Sequence, residues 1–228
     1  MIYVTGDTHG EHDFFKLWFF ALHNKDLTKD DYVIIAGDFG GLWEEKTLQK
    51  DLDRFSELPF TVLFVDGNHE NFDLINAYPV VQWKGGKVRK IRDDILHLTR
   101  GQVFEIDGKK IFTFGGGTSV DKWMRQEGVS WWKQELPTYD DQEEGYKNLE
   151  KHGFAVDYVI THSCSIDALD RLPLKGRPLK KQVCLDNAFL QGFEACVRYR
   201  HWYFGHYHVD YMLDEKHTAL YHNVLPLQ

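Results

Sequence analysis

The sequence has few cysteines and lacks the long apolar runs of a membrane protein. Its three cysteines, Cys164, Cys184 and Cys196, are odd in number and show no metal-knuckle spacing, which predicts reduced thiols rather than disulfides. No apolar run approaches the roughly 20 residues that cross a bilayer. The amino-terminal MIYVTGD lacks the basic region, long apolar stretch and cleavage site of a secretory signal. We therefore expect a cytoplasmic protein with no membrane partner.

Positive charge is also scarce. The chain has 27 Lys and Arg residues against 35 Asp and Glu residues, a formal net charge of −8 at pH 7. Because broad capture of duplex nucleic acid requires cations that neutralise phosphates, duplex nucleic acid is not an expected partner. A phosphorylated substrate stays open, since bound metal ions can reverse the field locally. Histidine, with 12 residues, is the residue type that is unexpectedly abundant.

The amino-terminal half predicts alternating strands and helices. Short β-branched runs at 2–5, 32–36 and 61–65 are typical of buried strands, and about 11–24 and 44–57 are typical of helices. This alternation indicates βαβ units and a largely parallel sheet. A chain of 228 residues with 43% hydrophobic content can bury one substantial core. We expect a single domain over 1–228.

The carboxy-terminal half has a different pattern. Residues 102–106 and 110–114, joined across Asp107-Gly108, predict a hairpin, because Asp-Gly suits a type I′ turn. Further strands are predicted at 158–161, 202–204, 211–213 and 219–221, and helices at about 142–152 and 186–198. The Trp-rich segment at about 117–140 is the longest irregular stretch, and a loop of that length tends to be functional or partly disordered.

Polar residues follow the predicted strands at the points where they end. The five motifs are Gly6-Asp7-Thr8-His9, Gly37-Asp38, Gly67-Asn68-His69-Glu70, Thr161-His162 and Gly205-His206-Tyr207-His208. The carboxyl ends of adjacent parallel strands gather at one edge of a sheet, where ligand sites form. One Gly-Asp pair alone is common turn chemistry. Five such motifs in compatible order instead predict a metal site.

The residue types suit first-row divalent metals, which take mixed oxygen and nitrogen ligands. Asp7 and His9, two residues apart in extended backbone, point to the same side, and His206 and His208 repeat that geometry. Two cations about 3.5–4 Å apart need a shared carboxylate, for which Asp38 is the natural candidate. Such ligands accept manganese, iron, zinc or nickel, and we expect manganese or iron in a site of two divalent metal ions.

These motifs, which span residues 7 to 208, resemble those of the calcineurin-like metallophosphoesterase superfamily. The resemblance implies an α/β fold, a four-layer α/β/β/α sandwich of two mixed β-sheets flanked by helices. It implies that one metal is bound by Asp7, His9, Asp38 and His208. It implies that the second metal is bound by Asp38, Asn68, His162 and His206.

The resemblance also implies a metallophosphoesterase reaction, in which a metal-bridging hydroxide attacks a phosphate ester and His69 assists the leaving group. Similar enzymes orient this histidine through an acidic residue, which is either Glu70 or a more distant acid. The substrate is a phosphomonoester or a small phosphodiester, carried by a small molecule, a nucleotide or a phosphoprotein. The alternative is a metal-binding interaction scaffold with little or no catalysis. Such relatives typically lose the histidine that stands here as His69.

Two departures from the family pattern concern the substrate and a local loop. Phosphoprotein phosphatases continue this motif into an Asp-Arg pair whose arginine binds phosphate, whereas here Asp38 is followed by Phe39, so that arginine is missing. After His162, the chain also lacks the prolines that many relatives carry. Arg125 and Arg177 could replace the arginine, although each is more often a solvated surface charge. Trp131 could stack on a substrate, or it could pack the irregular segment onto the core.

Overall fold

The computed structural model describes residues 1–174, 176 and 182–227. This part of the chain contains thirteen strands and six α-helices. The strands are β1 (Ile2–Thr5), β2 (Tyr32–Ile35), β3 (Thr61–Phe64), β4 (Val80–Trp83), β5 (Gly86–Arg92), β6 (Ile95–Leu98), β7 (Gln102–Ile106), β8 (Lys109–Phe114), β9 (Tyr158–Thr161), β10 (His201–Phe204), β11 (Tyr211–Met212), β12 (His217–Ala219) and β13 (Val224–Pro226). The helices are α1 (Phe15–His23), α2 (Leu48–Ser56), α3 (Phe72–Asn76), α4 (Tyr139–Lys151), α5 (Ile166–Arg171) and α6 (Leu185–Glu194).

The strands form two mixed sheets. The first sheet has the order β13-β1-β2-β3-β6-β5-β4, with β1, β2, β3 and β6 parallel to one another. The second has the order β11-β12-β10-β9-β8-β7, with β8, β9, β10 and β12 parallel. The outer strands of both sheets pair antiparallel. Each sheet therefore has a parallel centre, whose strand ends point the same way.

Three apolar clusters define the layers. Side chains from the facing surfaces of the two sheets, such as Ile34 and Ile160, share one cluster. Because neighbouring residues in a strand point to opposite faces, Val33 packs instead into the cluster that includes Leu17 of α1 and Phe55 of α2. The outer face of the second sheet packs against α4, α5 and α6 in the third cluster. The structure thus confirms the predicted α/β/β/α sandwich.

Several predicted elements differ from the structure in extent. The predicted helix 11–24 begins only at Phe15, because residues 9–14 form turns, and the predicted helix 186–198 ends at Glu194. The predicted helix 142–152 begins earlier, since Thr138 and Asp141 cap it reciprocally. The strand predicted at 219–221 is wrong in register: β12 is His217–Ala219, and it does pair antiparallel with β11.

Neither a membrane-spanning helix nor a disulfide is found in the described structure. No helix in its described ranges is both long enough and apolar enough to span a bilayer. The three cysteines are free thiols, and Cys164 is buried. Burial raises the pKa of the Cys164 thiol, which keeps it protonated and unreactive.

Candidate metal centre

Polar side chains from both sheets meet where the parallel strands end. β1, β2 and β3 contribute from the first sheet, and β9 and β10 contribute from the second. The side chains that follow these strands are Asp7 and His9 after β1, Asp38 after β2, Asn68 and His69 after β3, His162 after β9, and His206 and His208 after β10. The site therefore lies at the seam between the two sheets.

The first group of ligands consists of Asp7, His9, Asp38 and His208, whose ligand atoms all lie within 4.8 Å of one another. His208 Nε2 is 3.0 Å from Asp7 Oδ2, and His9 Nε2 is 3.3 Å from Asp38 Oδ2. Asp7 Oδ2 is fully buried and makes no hydrogen bond of good geometry. A buried carboxylate oxygen that faces ring nitrogens in this way fits a divalent cation.

His162 and Asn68 lie on the other side of Asp38. His162 Nδ1 lies 2.8 Å from the carbonyl oxygen of Ala36, which can only accept, so Nδ1 carries the proton. His162 Nε2 then faces Asn68 Oδ1 at 2.9 Å and Asp38 Oδ1 at 3.5 Å. Since both oxygens are acceptors, a second proton or a cation must lie at Nε2. The His206 ring adjoins this position, with its centroid 4.9 Å from that of His162.

The orientation of the Asn68 amide is fixed by Ser119 and Glu135. Ser119 Oγ lies 2.6 Å from Glu135 Oε2 and donates its only proton there. It must therefore accept from Asn68 Nδ2, which is 3.1 Å away, and Asn68 Oδ1 is left facing His162. The Ser119 amide also donates to Glu135 Oε1 at 2.9 Å. Sequence reasoning missed both residues, because an irregular segment offers no spacing that indicates such a contact.

The backbone at the site is strained. His9, Asp38, His206 and His208 have φ values of 42°, 50°, 68° and 52°, in the left-handed region that non-glycine residues seldom adopt. Gly67 is required for a different reason, since a Cβ there would lie 2.1 Å from Asp38 Oδ1. Strain of this kind persists where the surrounding structure holds side chains for function.

Electrostatics keep the two carboxylates ionised. Burial alone would raise the pKa of Asp7, but the close contact with the His208 ring and the charge of His162 outweigh it and lower the pKa to about 2. Burial also opposes ionisation of Asp38, whose pKa is nevertheless held well below its ordinary value by His162, His69 and His9. Burial lowers the pKa of His9, but Asp38 raises it to about 9. A metal ion would take the place of these protons.

His69 lies beside an arginine rather than beside Glu70. Arg125 Nη2 is 3.5 Å from His69 Nε2, and Asp121 holds that guanidinium with two contacts of 2.8 Å. Glu70 Oε1 instead accepts the Phe39 amide at 2.7 Å, so it supports the turn after β2. Burial lowers the pKa of His69, with Arg125 adding to that effect.

The other predicted substrate contacts are only partly at the site. Arg125 lies beside His69. The Trp131 ring instead packs against Lys122, whose Nζ lies 6.0 Å from the ring centroid. Its neighbour Trp132 is buried and donates from Nε1 to Asp73 at 2.8 Å, which packs the irregular segment against the first half of the chain. The predicted contact Arg177 lies outside the described residues, as do the nearby lysines at 175, 180 and 181.

Two cavities adjoin the metal ligands. The first has a volume of about 270 Å³, and its lining includes Asn68, His206, His208, Asp186 and residues 118–121. The second has a volume of about 550 Å³. Its lining includes His9, His12, Gly40, Trp43 and Lys50. His69 lines both cavities, so the ligand cluster lies between them.

Comparison with known proteins gives a family and two distant structural neighbours. The family model described as calcineurin-like phosphoesterase matches residues 1–216. A protein of unknown function, AQ665 from Aquifex aeolicus, has 19% identity and a TM-score of 0.37, over 72% of this chain and 79% of that chain. Phosphopantetheinyl hydrolase (PptH) from Mycobacterium tuberculosis has 16% identity and a TM-score of 0.44, over 96% of this chain and 89% of that chain. No curated protein sequence gives a significant match.

Proposed function

The chain belongs to the calcineurin-like phosphoesterase family, and we propose that it hydrolyses phosphate esters at a centre of two divalent metal ions. The observation that carries the proposal is the convergence of four ligand atoms within 4.8 Å at the end of the parallel strands. The ligands of one ion are Asp7, His9, Asp38 and His208. The ligands of the other are Asp38, Asn68, His162 and His206. Manganese and iron are the metals we expect.

Bound there, two divalent ions would polarise the phosphoryl oxygens and lower the pKa of a water molecule, making it a nucleophile near neutral pH. The protein's own groups orient the reaction. Ala36 fixes the tautomer of His162, and the Ser119–Glu135 pair fixes the Asn68 amide. His69 and Arg125, whose side chains lie 3.5 Å apart, are the groups that we expect to stabilise the oxygen that leaves phosphorus. The solvent oxygen enters the phosphate product directly, with no phosphoenzyme.

The size of the cavities supports a phosphorylated small molecule, including a nucleotide, as the substrate. Volumes of about 270 and 550 Å³ are in or near the range of roughly 300–1,000 Å³ that is usual for small-molecule sites. A phosphoprotein would bring a flexible peptide rather than a compact ligand. The two cavities favour the small molecule over the phosphoprotein, because each cavity can enclose most of one substituent of a small phosphate ester.

The test is metal-dependent turnover. Metal-free protein should gain activity on p-nitrophenyl phosphate or bis-p-nitrophenyl phosphate when it is reconstituted with manganese or iron, with about two ions bound per chain. His69→Ala should keep both ions and lose turnover by about 100-fold or more. Asp38→Asn should bind neither ion tightly and should also lose turnover, because Asp38 is a proposed ligand of each ion. If two ions bind and no ester is hydrolysed, the interaction scaffold is the better description.

A further inference from the structure

The two cavities differ in the groups that they offer. The first is lined by polar and acidic residues, among them Asp186, whose buried carboxylate accepts a hydrogen bond from Thr118. The second contains an aromatic residue, Trp43, beside the imidazole of His12 and the ammonium of Lys50, and its lining also includes three carboxylates, those of Glu11, Glu44 and Asp51. Their only shared lining residue in the described structure is His69. A phosphoryl group bound at the metal ligands would therefore have a cavity on each of two sides, and the two cavities would offer it different side chains.

We propose that the substrate is a phosphodiester, and that the cavity lined by His12, Trp43 and Lys50 binds one of its two substituents. This inference rests on the proposed phosphoesterase function. A monoester has one substituent and would leave one cavity without a role, whereas a diester fills both. The chemistry of the larger cavity suits a flat ring with polar edges, because its lining offers an aromatic residue together with hydrogen-bonding nitrogen and carboxylate groups.

The wall that carries Trp43 is rigid before any ligand binds. The Trp43 and Trp132 rings meet edge to face with centroids 5.6 Å apart. Asn71 Nδ2 donates to the Trp43 carbonyl oxygen at 2.9 Å. Trp132 is anchored in turn on Asp73. A site held in this way loses little conformational entropy when a ligand binds, which is what a preformed subsite requires.

The reaction at such a substrate is balanced by water alone. The water oxygen forms a new bond to phosphorus, and one of the two ester P–O bonds breaks. The departing oxygen takes up a proton and leaves as an alcohol, and the other substituent remains on a phosphomonoester product. The product carries one more negative charge than the diester near neutral pH and has only one substituent, so one cavity is vacated.

The experiment compares bis-p-nitrophenyl phosphate with p-nitrophenyl phosphate on the manganese-loaded protein. We expect a higher kcat/KM for the diester. Trp43→Ala should lower kcat/KM for the diester about tenfold, mainly through KM, and leave the monoester nearly unchanged, because tenfold corresponds to about 1.4 kcal/mol, the size of one lost aromatic contact. Trp123→Ala is the matched control, since Trp123 is exposed and lines neither cavity.

A second variant protects the test against misfolding of Trp43→Ala. Thr47 lines the same cavity, and Thr47→Phe should obstruct it, with the same selective loss for the diester. The proposal is overturned if the wild-type protein prefers the monoester, or if both variants lower kcat/KM for the two substrates equally while their Tm matches that of the wild-type protein. Absence of turnover on both substrates by wild-type protein would instead refute the phosphoesterase function itself.

Discussion

At the scale of single residues, the site depends on where individual protons lie. The Ala36 carbonyl oxygen decides the tautomer of His162, and Glu135 decides which way the Asn68 amide points. The sequence predicted the ligand types because each of the five motifs follows a strand-forming run, and four of the five begin with a glycine. It could not predict Ser119 or Glu135, since the contact joins residues 51 positions apart through an irregular segment.

Removing the Ser119 hydroxyl should weaken one of the two proposed metal sites. In Ser119→Ala the Asn68 amide is free to turn, so its oxygen no longer faces His162 reliably. Partners of metal ligands typically contribute 10–100-fold to affinity, and we expect a loss of about that size for one ion only. Metal titration by calorimetry checks this.

Ser130→Ala is the control for that experiment, because Ser130 belongs to the same segment and its hydroxyl accepts from the Gln126 amide rather than from Asn68. Glu135→Gln should give a partial loss, since its amide can still bind the Ser119 hydroxyl through oxygen. Equal metal affinity in wild-type protein and Ser119→Ala would contradict the positioning role.

At the scale of elements, predictions succeeded where hydrophobic patterns were regular. β1, β2 and β3 are short buried runs and were recognised within one residue at their ends. The meander β4–β6 was missed. A bulge between Lys90 and Arg92 breaks the alternation of β5, and β4 is an exposed edge strand, so neither has a clean two-residue period.

A network of charged side chains connects β12 of the second sheet with α5 and α6, the helices that pack on its outer face. His217 of β12 lies 3.0 Å from Glu194 of α6 and 2.9 Å from Asp214, which is paired with Arg171 of α5. The Tyr199 hydroxyl also contacts His217, at 2.8 Å. Burial alone would lower the pKa of His217, but the hydrogen bonds to Glu194 and Asp214 raise it above its ordinary value.

The raised pKa predicts how stability depends on pH. Protonated His217 contributes its full stabilisation at pH values below the pKa of this histidine in the unfolded chain, about 6.5. The contribution is lost as pH rises through the higher pKa that His217 has in the folded state. His217→Gln should therefore cost roughly 1–3 kcal/mol near pH 5.5 and less near pH 8.5. Urea unfolding at both pH values measures the difference. A pH-independent cost for His217→Gln would exclude the mechanism.

At the scale of the whole molecule, the resemblance predicted two facing sheets, whereas hydrophobic patterns alone predicted one parallel sheet and some hairpins. β1, β3, β6 and β9 are buried along their whole length, so their residues do not alternate between buried and exposed. Without that alternation the sequence does not show which face meets the other sheet. The packing of Ile34 against the second sheet became visible only in the structure.

Metal removal should destabilise the entire fold, because the proposed ligands come from both sheets. Binding adds RT ln(1 + [L]/Kd) to stability, about 2.7 kcal/mol at a hundredfold excess over Kd. A chelator should therefore lower Tm by several degrees in wild-type protein. In Asp38→Asn the chelator should have almost no effect. An unchanged Tm in wild-type protein would argue that metal binding does not couple the sheets.

The distance in sequence between Asp7 and His208 also has a consequence for synthesis. These two residues face each other at 3.0 Å but are 201 positions apart. At translation rates of about 5–20 residues per second, roughly 10–40 s separate their emergence from the ribosome. During that time the nascent chain carries an incomplete set of ligands. Full loading of the proposed metal centre must then wait for the ligands that follow β10, by which time β1, β2 and β3 have long been available to pair.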